Sequence, residues 1–313
     1  MGKPNIVTKR YMQDNARFAD ICNFYLFNGQ QVIKAEDLAE KDVTELALPK
    51  GLKGVVAIEK IRDILRGCCV KTANDITYLI IGIENQNDTH YAMVVRNMLY
   101  DALNYSSQVE AAAKQHRKDK NVTGVEFLSG FAKEDRLTPV VTLTIYWNTG
   151  SWDGARSLHE MLDVDDKTLL NYVADYKLNL IVPEEIEEFD KFKTELGPLL
   201  EFIHCAENDN KLEKALDEKG WQWESMSEES VELLNICLNA KLETCTGTEG
   251  GTKNNMCKGI RELEARRKAE GKAEGILLTL LQLVHDGLLE LSVGIERSGV
   301  TEEEFKEKLS RMA

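Results

Sequence analysis

RDILRGCCVKTANDITYLIIGIENQ, residues 62–86, sets an acid ahead of one short segment and a second acid, with an amide two residues on, at the end of the next. Tyr78 to Ile83 is a nearly unbroken apolar run rich in β-branched residues, the pattern of a strand covered on both faces. Glu84 then stands at the mouth of a buried strand. Side chains alternate along a strand, so Glu84 and Gln86 share one side and Asn85 takes the other. Lys71 to Asp75 is turn-like, which lets the segment holding Asp63 pair alongside. Two carboxylates and one amide would then converge at the edge of a core. Such a patch suits Mg²⁺, which takes oxygen ligands, keeps several waters and is held by one or two carboxylates together with substrate phosphate oxygens. A cation held in this way orients a water, lowers its pKa and offsets charge on a phosphodiester. Solvated acids at strand ends give the same pattern, and a Glu-x-Gln triplet has no specificity by itself.

Composition bounds the rest. At 313 residues the chain exceeds the size at which single cores stop growing, so two parts are expected: a sheet-bearing domain over residues 1–205 and a helical region over 206–313. Lys and Arg total 39 against 53 acids, a net charge of −14. That balance argues against a broad DNA-coating surface and leaves a local basic strip or a metal-assisted contact. Seven cysteines at irregular spacing, Cys68 and Cys69 adjacent, fit reduced cytosolic thiols, and no pair has zinc-finger spacing with partner histidines. MGKPNIVTKRYMQDN at the start has no apolar signal core, and no apolar run reaches membrane-spanning length, so a cytoplasmic protein without a membrane partner is expected. A glycine-rich phosphate loop and a nucleophile–histidine pattern are both missing, which disfavours unrelated small-molecule chemistry.

In chain order, Tyr11 to Phe27 reads as a helix with Phe18, Ile21, Cys22, Tyr25 and Leu26 on one face, ended by Asn28 and Gly29. Asn15, Arg17 and Asp20 project within reach of the acidic patch, and Asp20 reads equally as part of a solvated face. Val32 to Asp42 gives a short strand-like piece, and Glu45 to Lys50 and Val55 to Ile58 are weaker strand candidates. After a turn at Asn87 to Thr89, Tyr91 to Glu110 forms the clearest helix in the chain. Arg96 and Tyr100 share a face there at i, i+4 spacing; Arg96 is a candidate cation for the patch, a partner for Glu84, or a snorkelling side chain. The helix runs on into AAAKQHRKDK at 111–120, where Lys114, Arg117, Lys118 and Lys120 make the most basic local strip. Such a strip rests on a phosphate backbone or simply complements the helix C-terminus in solvent. Pro139 to Trp147 is a central strand, and strand–helix–strand order implies a crossover and a mixed sheet flanked by helices. Helices are expected over Leu158–Leu170, Pro183–Phe202 and Leu212–Lys241, with an edge strand inside 173–183. A polar loop at 244–255 leads to a charged helix at 256–274 and an apolar stretch at 277–289, and Thr301 with Glu304 forms a capping box that opens a last helix. That last helix is not strongly basic, which favours self-association or capping of the core over DNA contact.

Taken together, YMQDNARFADICNFYLFNGQQVIKAEDL at 11–38, RDIL at 62–65, LIIGIENQNDTHYAMVVRNMLYDALNY at 79–105, EFLSGFAKEDRLTPVVTLTIYW at 126–147, WDGARSLHEML at 152–162 and EGKAEG at 270–275 resemble, in order, the recombination-promoting nuclease and transposase family within the PD-(D/E)xK nucleases. The resemblance implies an α/β fold, a restriction-endonuclease-like core with a mixed central sheet flanked by helices, and a mainly α-helical C-terminal extension. It implies a metal-dependent DNA endonuclease using Mg²⁺, with Mn²⁺ as an alternative, and DNA as partner; a homo-oligomer through the C-terminal helices is the separate expectation drawn from the terminal helical pair. Residue by residue, Asp63 matches the core aspartate, Glu84 the core glutamate, and Gln86 the position held by lysine in most of the superfamily. Asp20, Arg96 and Tyr100 are supporting candidates, and Lys114, Arg117, Lys118 and Lys120 are DNA-binding candidates. Glutamine orients a water but cannot offset charge, so the alternative is a catalytically weak DNA-binding or interaction protein that keeps the fold.

Overall fold

A computed structural model describes residues 3–40, 63–71, 76–119, 124–224, 226–238, 272 and 275–310. The strand candidates at 45–50 and 55–58, Lys120, the loop at 244–255 and almost all of the charged helix at 256–274 lie outside them. The chain divides into two compact units, Met1–Ala240 and Lys241–Ala313.

The first unit is an α/β structure built on a five-stranded mixed sheet in the order β1 (Ala39–Glu40), β2 (Ile64–Lys71), β3 (Ile76–Gln86), β4 (Val140–Tyr146), β5 (Asn179–Ile181). β2 and β3 form the expected antiparallel hairpin, in register from Lys71 against Ile76 to Ile64 against Ile83. After β3 the chain crosses over through α3 (Met93–Asp119) and the short α4 (Gly124–Ser129) and returns as β4, parallel to β3, with Glu84 opposite Thr144 and Gln86 opposite Tyr146. β5 adds in parallel at the edge, as its short apolar run suggests.

Both sheet faces are covered, which explains the near-continuous apolar character of β3 and β4. On one face, α3 lies over Leu65, Ile80 and Val140, with Tyr105 packed against them. Polar side chains tie the same helix down: Asn97 Nδ2 donates to Thr144 Oγ1 at 2.9 Å, and Thr142 Oγ1 donates to Asp101 Oδ1 at 2.6 Å. The other face meets α1 (Lys3–Met12) and α2 (Asn15–Phe27), where the Tyr11 and Trp147 rings meet edge to face at 6.3 Å.

Three expectations are corrected. The single helix at 11–27 is two helices, because Asp14 accepts the Arg17 N–H at 2.9 Å and caps α2. Residues 158–170 and 183–195 form only short 3₁₀ turns, and α-helix resumes at α5 (Leu196–Cys205). Asp166 takes the Thr168 N–H and hydroxyl locally, and Asp20 takes the amides of Lys193 and Thr194, so those donors are unavailable to a helix. The boundary expected at 205/206 moves to 240/241, since α6 (Asp209–Glu224) and α7 (Glu228–Cys237) pack onto α5 and α1. Trp223 stacks edge to face on Phe202 at 5.0 Å and donates to Pro198 O at 2.9 Å, while Ser230 Oγ donates to the buried Tyr11 hydroxyl at 3.0 Å.

The second unit closes a small core of its own from Leu277, Leu281 and Phe305, with Leu280, Val284, Ile295 and Leu309 around it. Residues 275–285 are helical (α8), followed by α9 (Leu291–Ser298) and α10 (Glu302–Ser310). Gly299 at φ 72° turns the chain between α9 and α10, and Thr301 Oγ1 accepts the Glu304 N–H at 3.3 Å, one half of the expected capping box, while the Glu304 carboxylate pairs with Lys308 at 3.0 Å. Among the described residues no helix is long and apolar enough to cross a membrane.

Candidate functional site

The hairpin register carries one step past Ile64 and Ile83, and there Asp63 meets Glu84. The Asp63 N–H donates to Glu84 Oε1 at 3.3 Å, and the neighbouring residue, Asn85, donates its N–H to Asp63 Oδ2 at 2.9 Å. Asp63 is buried and Glu84 has no exposed surface. Antiparallel pairing at the end of a tight hairpin therefore brings together two acids twenty-one positions apart in the chain.

α3 supplies the other side of the site. Arg96 Nη2 lies 3.1 Å from Glu84 Oε2, and Arg96 Nε donates to the Tyr100 hydroxyl at 3.0 Å. The contact to Glu84 is close enough for strong attraction but lacks hydrogen-bond alignment, whereas the bond to Tyr100 has it. Burial pulls the Arg96 guanidinium down, but the Glu84 charge, the Tyr100 hydroxyl and Asp63 outweigh it, so its pKa is raised. Burial and then the Glu84 charge push the Tyr100 phenol up, against the lowering effect of Arg96. Of the three roles open to Arg96 in the sequence, pairing with Glu84 is the one the structure takes. Gln86 stands one pleat beyond Glu84 on the same face, half-buried at the rim.

The remaining candidates go elsewhere. Asp20 is buried, and its carboxylate accepts the Lys193 N–H at 2.9 Å, the Thr194 N–H at 2.8 Å and the Thr194 hydroxyl at 2.7 Å. It anchors the approach to α5 and is not part of the acidic patch. Arg17 pairs with Glu195 at 2.6 Å and Glu229 at 2.7 Å, holding α5 and α7. Asn15 instead accepts from Arg66 Nε at 3.2 Å, beside β2. Lys114, Arg117 and Lys118 are exposed near the end of α3; at 1.5 Å per residue, Lys114 lies about 27 Å along the axis from Arg96. The basic strip and the acid pair are thus separate features.

The packing and polar faces of α3 are marked in the sequence by Met93, Val94, Asn97, Met98, Asp101, Ala102 and Tyr105, but the partners of its polar seam are not. Asn97 and Asp101 fall at i, i+4 on the face that also carries Met93 and Val94, and that spacing was the available signal. Both meet threonines of β4, and the Tyr176 hydroxyl donates to Asp101 Oδ2 at 2.6 Å. Asn97 has no exposed surface, and its Oδ1 takes no hydrogen bond among the described residues. Asn85 faces the other side, as strand alternation expects, and there its side-chain oxygen accepts from Trp147 Nε1 at 2.8 Å and so pins the strand end that holds Glu84, a partner the sequence did not show.

The donor chemistry fits a hard divalent cation: carboxylate oxygens of Asp63 and Glu84 at the end of the paired strands. No group of three His, Cys, Asp or Glu side chains converges among the described residues, so a cation here would depend on two carboxylates and on water or substrate oxygens. Fold and site together define an α/β protein with a mixed sheet and a buried carboxylate pair near the carboxyl end of its central strand. Compared with protein-family models, curated proteins and solved structures, the chain matches none.

Proposed function

We propose that this protein is a metal-dependent DNA endonuclease with a PD-(D/E)xK-type core, hydrolysing phosphodiesters at Asp63 and Glu84. The observation that supports it most is the register of the β2–β3 hairpin, which sets Asp63 against Glu84 immediately before a parallel crossover through α3. Asp63 and Glu84 would hold Mg²⁺ or Mn²⁺, which when bound lowers the pKa of a water and offsets charge on the phosphate. Gln86, at the rim of the same face, orients the attacking water through its amide. Arg96 supplies the positive charge that Gln86 lacks, its bidentate fork suiting a phosphate once it leaves Glu84. Lys114, Arg117 and Lys118 take the flanking backbone as a local strip on a chain that is otherwise acidic.

A second reading, a catalytically weak DNA-binding protein on the same fold, draws on one observation: Glu84 is fully enclosed and paired with Arg96. Supercoiled plasmid incubated with Mg²⁺ or Mn²⁺ separates the two. The endonuclease reading expects nicking or linearisation by the wild-type chain and a loss of about 10²-fold or more in Glu84→Gln, the scale of removing one electrostatic stabiliser. Cleavage at equal rates by both proteins would point to a contaminant, and DNA retention without cleavage by either would select the second reading.

A further inference from the structure

We infer that Arg96 is an internal competitor for the divalent cation at the Asp63–Glu84 pair, a tethered guanidinium that has to leave Glu84 before a metal ion can be held there. The inference deepens the proposed function and rests on its reading of the acid pair as a cation site.

Glu84 is enclosed on all sides, and its Oε2, an oxygen a cation would take, is the atom Arg96 Nη2 faces at 3.1 Å. Guanidinium and divalent ion satisfy the same carboxylate charge, and both cannot occupy one oxygen's near side. Three features make the arginine releasable. Its side chain keeps 28% of its surface in contact with solvent, while Glu84 keeps none, so the arginine is the partner with somewhere to go. The ion pair lacks hydrogen-bond alignment, so no directed bond is broken when it opens. Arg96 Nε stays fixed to the Tyr100 hydroxyl at 3.0 Å, with the guanidinium 5.6 Å from the Tyr100 ring centre, which gives the released group a resting place on its own helix. Metal affinity is then set by competition, and removal of the guanidinium raises it.

The test is Mn²⁺ binding to the full chain, followed by electron paramagnetic resonance of free Mn²⁺ without DNA or turnover. Wild type is compared with Arg96→Gln, with Arg96→Met, which keeps the stem's packing and drops the charge together with the hydrogen bond to Tyr100, and with the double variant Glu84→Gln/Arg96→Met. Either single variant that folds is expected to bind Mn²⁺ at least about tenfold more tightly than wild type, a difference of about 1.4 kcal/mol. The double variant is expected to lose that gain. Wild type and Arg96→Met binding equally, or Arg96→Met binding more weakly, would overturn the competition while leaving the acid pair as a metal site. No Mn²⁺ bound by any of the proteins would remove the inference and the metal-dependent reading together.

Discussion

Asp20 and Glu84 are both carboxylates sealed inside the first unit, and they are held in opposite ways. Asp20 sits where α2 meets the approach to α5, and its oxygens are taken up by two backbone N–H groups and a threonine hydroxyl. Glu84 sits under α3, where it accepts the Asp63 N–H and is faced by a guanidinium that reaches in from a partly exposed position. A carboxylate bound by backbone amides is committed to the fold, because releasing it would orphan donors that cannot move away. A carboxylate balanced by a side chain can exchange that side chain for another cation at the cost of one rotamer change. The difference separates a joint from a site, although both are acids without a place in the apolar pattern.

Removing the mobile partner should produce the largest effect. Arg96→Ala takes the guanidinium from a buried carboxylate and is expected to lower the unfolding free energy by about 3–5 kcal/mol, with Glu84→Gln on top of it restoring much of the loss. Urea unfolding of the two variants measures this, and an equally unstable double variant would show that the pair is not coupled. Asp20→Asn should cost less, about 1–3 kcal/mol, because it sets an amide NH₂ against the Lys193 and Thr194 donors. It should leave Mn²⁺ affinity unchanged, and a shift in that affinity would place Asp20 back among the site residues.

Glu195 offers the mildest comparison, a carboxylate held by both kinds of partner. Burial raises its pKa, but the Ser227 N–H, the Ser227 hydroxyl and Arg17 outweigh burial, and the net shift is downward. Its stabilising contribution is therefore present above the ordinary glutamate value of about 4.3 and is lost as pH falls through the lowered folded value. Urea midpoints of wild type and Glu195→Gln, measured from pH 7 to pH 3, should differ at neutral pH and converge in the acid range. A gap that widens with acid would reverse the sign of the shift.

Much of this architecture is legible before any coordinates. The apolar run ending at Ile83, the turn before it and the i, i+4 spacing of Arg96 and Tyr100 anticipate the hairpin, α3 and the crossover, all of them short-range patterns. Asp14 as a helix cap was also readable, but it was overlooked within the longer apolar periodicity of 11–27. The loss of helix before Leu196 was not readable. Its cause is a carboxylate 173 positions earlier in the chain, and no local propensity records which segment will arrive to take an amide. The boundary at 240/241 depends in the same way on Trp223 and Ser230 finding Phe202 and Tyr11.

By itself the sequence determined the β2–β3 hairpin, the crossover through α3 and that Asp63 and Glu84 stand at the ends of paired strands, because alternation, β-branching and turn residues act between neighbours in the chain. Tertiary structure alone decided what each buried acid is bonded to: amides of a distant loop for Asp20, an arginine of the crossover helix for Glu84. The physical reason is that a buried charge must find its partner among whatever groups packing brings within about 3 Å, and packing is a property of the whole fold.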